Sequence, residues 1–150
     1  MIKIVADKDL PFLDKAFEYS EEIELLKLPY DQITNSNLKN ADALISRSVT
    51  KINEELVSDT NLKLIFSLTS GEDHVDFDCL EEIKFQSAKG SNAQAVFEYT
   101  ASALQFSSEK KIGIIGEGNI GKKIKDNLSF LGYEVISYDP YLYNHDESIK

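Results

Sequence analysis

The stretch from Lys111 to Gly121, KIGIIGEGNIG, holds four of the chain's seven glycines within nine residues, a density that demands a backbone explanation. Gly116, Gly118 and Gly121 stand in the spacing G-x-G-x-x-G. Ile112, Ile114 and Ile115 before them read as a buried strand. Ile120, Ile124, Leu128 and Leu131 after them recur at helical spacing, and Gly132 supplies a helix stop. In such a corner each glycine has a mechanical task. Gly116 permits the tight turn, Gly118 leaves room for a diphosphate against the main chain, and Gly121 lets the helix lie close on the strand. The anion then rests on N–H groups at the helix N-terminus.

A second strand, Glu134 to Tyr138, follows. Asp139 ends it eighteen positions beyond Gly121, near the spacing of about 20 at which an acid binds a nucleotide ribose. A carboxylate there accepts from a 2'-hydroxyl and repels a 2'-phosphate, which predicts NAD in preference to NADP. Two other readings compete. A glycine-rich turn can bind nothing, and Gly116 with Gly121-Lys122 also gives G-x4-G-K, most of a phosphate loop. Position 123 is Lys, not the Ser or Thr that would hold magnesium. The ordered succession of strand, helix, stop, strand and acid favours the dinucleotide site.

Charge narrows the partners. Sixteen basic against 26 acidic residues give a formal charge of -10, which argues against nucleic acid and anionic membranes, since phosphate neutralisation needs a basic face. With 150 residues, 42% of them hydrophobic, the chain can bury a sizeable core. No apolar run approaches the ~18 residues of a membrane span, and MIKIVADKDL is too polar for a signal peptide. The single Cys79 excludes an internal disulfide and fits a reducing cytoplasm. No cluster with metal-ligand spacing is evident.

Upstream of the glycines, strands are expected at Ile2 to Ala6, Ile23 to Leu28, Ala43 to Ile45, Leu62 to Leu68 and Ile83 to Ser87. Helices are expected at Pro11 to Tyr19, Lys51 to Leu56 and Asp76 to Glu82, the last carrying Cys79. Ser91 and Gln94 form a capping box that would open a long helix through about Phe106, and Ser107 to Lys110 would link it to the glycine unit. The alternation predicts an α/β fold with a parallel sheet whose binding residues gather at the carboxyl ends of strands. Arg47, the one arginine beside fifteen lysines, follows such a strand end next to Ser48. Its planar fork suits a carboxylate or phosphate, so it is either an anion binder or half of an ordinary ion pair.

Four segments make the reading more specific: KIVADKDLPF, ADALISRSVTKINEEL, TSGEDHVDFDCL and GSNAQAVFEYTASAL. Together they resemble the erythronate-4-phosphate dehydrogenases of the D-2-hydroxyacid dehydrogenase superfamily. That resemblance implies a flavodoxin-like parallel-sheet lobe over residues 1–90, a crossing helix and linker over 91–110, and the first βαβ unit of a Rossmann NAD-binding domain over 111–150. It implies that Ser48 and Thr69 bind a small phosphorylated 2-hydroxy acid, that Arg47, Gly71 and Asn92 line the substrate side, and that Asn119, Ile120 and Asp139 touch NAD. Other D-2-hydroxyacid dehydrogenases, such as those acting on phosphoglycerate, and a non-catalytic nucleotide-binding remnant are the alternatives.

Phe66, Glu72, Lys89 and Ser91 depart from the residues usual in that family and bear on the shape and charge of the substrate pocket. Family members are more than twice this length, and their catalytic Arg, Glu and acid-base His lie beyond the matched stretch, so the resemblance assigns no catalytic residue here. His74 is expected to make a structural hydrogen bond and His145 to be solvated. A lone strand-helix-strand unit cannot cover its own apolar faces. Ile114, Ile124, Leu128 and Val135 are therefore expected to face solvent unless residues 111–150 pack back on the first lobe or pair with another copy in a homodimer.

Overall fold

The computed structural model describes residues 1–142, so His145 lies outside the described residues. The chain divides between Ala88 and Lys89 into two compact units.

In the first unit, β1 (Ile2–Asp7), β2 (Ile23–Leu28), β3 (Ala43–Ser46), β4 (Leu64–Ser67) and β5 (Lys84–Ser87) form one sheet in the order β2-β1-β3-β4-β5, every neighbouring pair parallel. This is the flavodoxin-like order, whose switch point lies between β1 and β3. Side chains alternate across the sheet. Val5, Leu44 and Ile65 enter a core with Leu38 of α2 (Asn35–Leu38), and with Leu56 and Val57 of α3 (Glu54–Val57). On the other face Ala6 packs with Leu10 and with Leu13 of α1 (Leu13–Phe17). Leu38, Leu44 and Ile65 are fully buried, each worth about 1.5–3 kcal/mol against solvent exposure.

The second unit holds α4 (Ala93–Leu104), β6 (Lys111–Ile115), α5 (Asn119–Phe130) and β7 (Glu134–Tyr138). β6 and β7 pair in parallel from Lys111↔Glu134 to Ile115↔Tyr138. α4 packs against α5, which lies on this two-stranded sheet. Leu128 is consequently fully buried, and Ile114, Ile124 and Val135 are half-buried, so elements within this unit supply part of the cover that these four need. The exposed apolar residues lie at the alternate strand positions: Ile115 is 90% exposed and Ile136 63%. Among the described residues no helix is long and apolar enough to cross a membrane.

Local capping overrules several helix expectations. The helix expected over Lys51 to Leu56 starts only at Glu54. Ile52 instead bridges Val75, and the Asn53 side chain accepts from the Leu56 N–H as N-cap. The helix expected over Asp76 to Glu82 is a single 3-10 turn, Phe77–Cys79. There the Asp76 carboxylate accepts from the Asp78 N–H, a local bond that competes with helix, and Glu81 takes a positive φ of 35° that ends the turn. Cys79 is half-buried on this turn, and its thiol donates to the Asp76 carbonyl. The Ser91-Gln94 capping box does not form. Asn92 is the N-cap of α4 without a side-chain bond, Gln94 donates to Glu98 one turn on, and the helix stops at Leu104.

Candidate functional site

The carboxyl edge of the five-stranded sheet is polar because the strand ends are. Ser46 pairs with Ser67 and Ser67 with Ser87 in register, and Asp7 closes β1 beside them. Asp7, Ser46 and Ser67 are fully buried, and buried polar groups need partners. Ser67 Oγ lies 2.9 Å from Thr69 Oγ1 and 3.1 Å from His74 Nε2. The structural bond expected of His74 is therefore present. Ser87 Oγ donates to Glu72 Oε1 at 2.6 Å, which ties the Glu72 carboxylate to β5.

Arg47 resolves as an ion pair. Its Nε donates to Asp7 Oδ2 at 2.7 Å and its Nη2 to Asp9 Oδ2 at 3.1 Å. The bond to Asp7 and the charge of both carboxylates hold its guanidinium further above its already high range, against a smaller opposing effect of burial. Ser48, exposed in the same loop, and Thr69 and Gly71, just past β4, sit at the exits of adjacent strands. Gly71 is tight: a Cβ there would come within 2.9 Å of Asp73 Oδ1. Asn92 belongs to the second unit. Phe66 faces an apolar groove of about 440 Å³ with Phe12, Leu13, Phe17, Ile45 and Leu64, on the sheet face that α1 covers, and not a polar pocket.

The glycine corner forms as its sequence requires. Gly116 takes φ 93°, a conformation that L side chains rarely adopt. Its N–H donates to the Tyr138 carbonyl at 2.7 Å. Gly118 is the N-cap of α5 and Asn119 and Ile120 open the helix, so their N–H groups have no intrahelical acceptor. A Cβ added to Gly118 would meet nothing within 4 Å, which leaves open the space a diphosphate would take.

Asp139, 8% exposed, stands at this corner. Its Oδ2 accepts from the Glu117 N–H at 2.7 Å and its Oδ1 from the Tyr141 N–H at 2.9 Å. Two amides fix the carboxylate, whose remaining lone pairs can still accept sugar hydroxyls. Gly116, Gly118, Asn119, Ile120, Gly121 and Asp139 are thus brought together, and the donor set fits an adenine dinucleotide. Among the described residues no group of three or more His, Cys, Asp or Glu is placed to hold a metal.

Sequence reasoning missed Asp7, the buried partner of Arg47, and Glu117, whose side chain bonds Ser137 of β7 and Lys125 of α5. The signal for Asp7 was available, since it is a carboxylate ending an apolar strand. Glu117 gave none, because the motif leaves its position open.

Residues 1–141 match the catalytic domain of D-isomer specific 2-hydroxyacid dehydrogenases. The erythronate-4-phosphate dehydrogenase of Hahella chejuensis is 44% identical over 149 residues, covering 93% of this chain and 39% of that protein. The erythronate-4-phosphate dehydrogenase of Saccharophagus degradans is 40% identical, covering 94% of this chain and 40% of that protein. The chain therefore spans about two-fifths of the length of these relatives. The NAD+-bound 3-phosphoglycerate dehydrogenase of Entamoeba histolytica shares the fold with a TM-score of 0.68 at 24% identity, over 99% of this chain and 57% of that one.

Proposed function

Because this chain belongs to the D-isomer specific 2-hydroxyacid dehydrogenase family, we propose that it is the substrate lobe and nucleotide corner of an NAD-dependent erythronate-4-phosphate dehydrogenase. The reaction is oxidation of 4-phospho-D-erythronate to its 2-oxo acid in the cytoplasm, a step of vitamin B6 biosynthesis. The observation that carries the proposal is the 44% identity to such an enzyme over nearly the whole chain, joined to a corner whose amides and acid fit the cofactor.

In this reading residues 1–90 are the substrate lobe, 91–110 the crossing segment and 111–150 the cofactor unit. Ser48 and Thr69 hold the phosphorylated substrate, with Gly71 and Asn92 on the substrate side. Arg47 acts indirectly, holding the loop that carries Ser48 through Asp7 and Asp9. NAD would rest its diphosphate on Gly118, Asn119 and Ile120 and its adenosine ribose on Asp139, supplying the hydride acceptor when bound. No residue here is assigned to move the hydroxyl proton, so the chain alone binds without turning over. Among the described residues β6 and β7 pair only with each other, and with Ile115 and Ile136 exposed this supports association of two copies.

Titration of the chain with NADH and with 4-phosphoerythronate tests the reading, with micromolar binding of either expected and no NADH formed when the chain is instead mixed with NAD+ and 4-phosphoerythronate. Binding of neither sinks it. Light scattering that shows a monomer at high concentration sinks the pairing of copies alone.

A further inference from the structure

His74 stands at the inner end of a short chain of hydrogen bonds that runs out to the carboxyl edge of the first sheet. Its carbonyl accepts from the Ile52 N–H at 2.9 Å, and the bridge between Ile52 and Val75 fixes the residue that follows it. The ring is thereby held beside β4, with Nε2 3.1 Å from Ser67 Oγ. Ser67 Oγ in turn lies 2.9 Å from Thr69 Oγ1. Ser67 is fully buried, whereas Thr69 is half-buried just past the strand. Among the described residues His74 Nδ1 is buried and has no partner.

The unpartnered nitrogen decides the direction of this chain. An uncharged imidazole has one N–H and one bare nitrogen. Buried N–H groups without an acceptor are rare in folded chains, and unfilled acceptors less so, so the proton belongs on Nε2 and the bare nitrogen is Nδ1. Nε2–H then donates to Ser67, whose single hydroxyl proton goes to Thr69. Thr69 accepts inward and keeps its own proton for an outside acceptor. With the proton on Nδ1 every bond would reverse, and Thr69 would donate inward and offer a ligand only lone pairs. Resting on the reading of Thr69 as a substrate contact, we infer that His74 is a positioning residue that, through Ser67, reserves the Thr69 hydroxyl proton for an anionic oxygen of a phosphorylated hydroxy acid. His74 touches no substrate in this assignment. It favours an anion by fixing which way two hydroxyls point.

In the 150-residue chain carrying His145→Ala, His74 is the one imidazole. Two-bond proton–nitrogen NMR correlation above neutral pH should show a proton on its Nε2 and none on Nδ1. A proton on Nδ1, or a mixture of both tautomers, overturns the inference. Titration with 4-phosphoerythronate reads the consequence. Thr69→Val should weaken binding by about tenfold, the scale of one hydrogen bond to a charged group, and Thr69→Ser should keep it. His74→Glu replaces the donor with an acceptor, so Ser67 must donate to it and Thr69 to Ser67. That change should weaken binding about tenfold more in the chain with Thr69 than in the Thr69→Val chain, where the added charge acts but no hydroxyl proton is at stake. His74→Gln, whose amide can still donate to Ser67, should keep the wild-type affinity. Equal losses from His74→Glu in the two backgrounds would make His74 structural only and overturn the inference. Either that result or a proton on Nδ1, in a chain that binds 4-phosphoerythronate, leaves the substrate reading standing. A wild-type chain that does not bind 4-phosphoerythronate overturns that reading and the role of His74 together.

Discussion

Gly121 lies so close to Gly116 that a Cβ built on it would overlap the Gly116 carbonyl oxygen and come within 2.9 Å of the carbonyl carbon. The obstacle is backbone, which cannot rotate away as a side chain would. Gly121→Ala should therefore push α5 off β6 and destabilise the second unit by about 1–3 kcal/mol, measured by urea unfolding. Gly118→Ala is the informative contrast. Gly118 has φ -67° and open space around its Cβ position, so this variant should keep wild-type stability while losing NADH, because the methyl takes the room that the proposed diphosphate would need.

Asp139 has a structural duty beside its proposed binding one. Asp139→Ala leaves the buried-side Glu117 N–H without its 2.7 Å acceptor, at a cost of about 1–3 kcal/mol. Calorimetry should show that loss in the absence of any nucleotide, together with weakened NADH binding. A variant that keeps its melting temperature would show that the loop does not depend on this carboxylate.

The Arg47–Asp7 pair should be asymmetric under mutation. Arg47→Ala strands a fully buried carboxylate, and breaking a pair this way costs about 3–5 kcal/mol. Replacing both, as R47M/D7L, should recover most of that stability. Equal destabilisation in the single and double variants would contradict the argument.

Asp42 provides a pH prediction. Its carboxyl is held below the usual carboxylate range, first by the Lys3 N–H bond at 3.0 Å and then by the Lys63 ammonium at 2.7 Å, against a lesser opposing effect of burial. A depressed folded pKa adds stability above the unfolded value, and that stability is lost as pH falls through the folded one. Asp42→Asn should therefore be less stable than wild type near neutrality, with the gap closing in acid. A gap that persists below the folded pKa would point to lost packing instead.

All seven strands described here lie where apolar runs end at turn residues, and the corner from Gly116 to Gly121 followed from glycine spacing set between an apolar strand and a helical repeat. Short helices were less legible. Asn53, Asp76 and Asn92 each sit at a helix or turn start, but whether such a side chain caps, turns or stays idle depends on neighbours distant in sequence, such as Val75 opposite Ile52.

The sequence by itself determined the order of strands along the chain, the glycine turn from Gly116 to Gly121 and the acid that follows the last described strand, because these depend on local sterics and residue spacing. Tertiary structure decided which charges meet. Arg47 is committed to Asp7 forty positions away, and Lys125 to Glu117 across the loop. Those pairings arise only when each unit folds and its strands and helices bring distant side chains together, where low dielectric makes an unpaired charge costly and partner choice decisive.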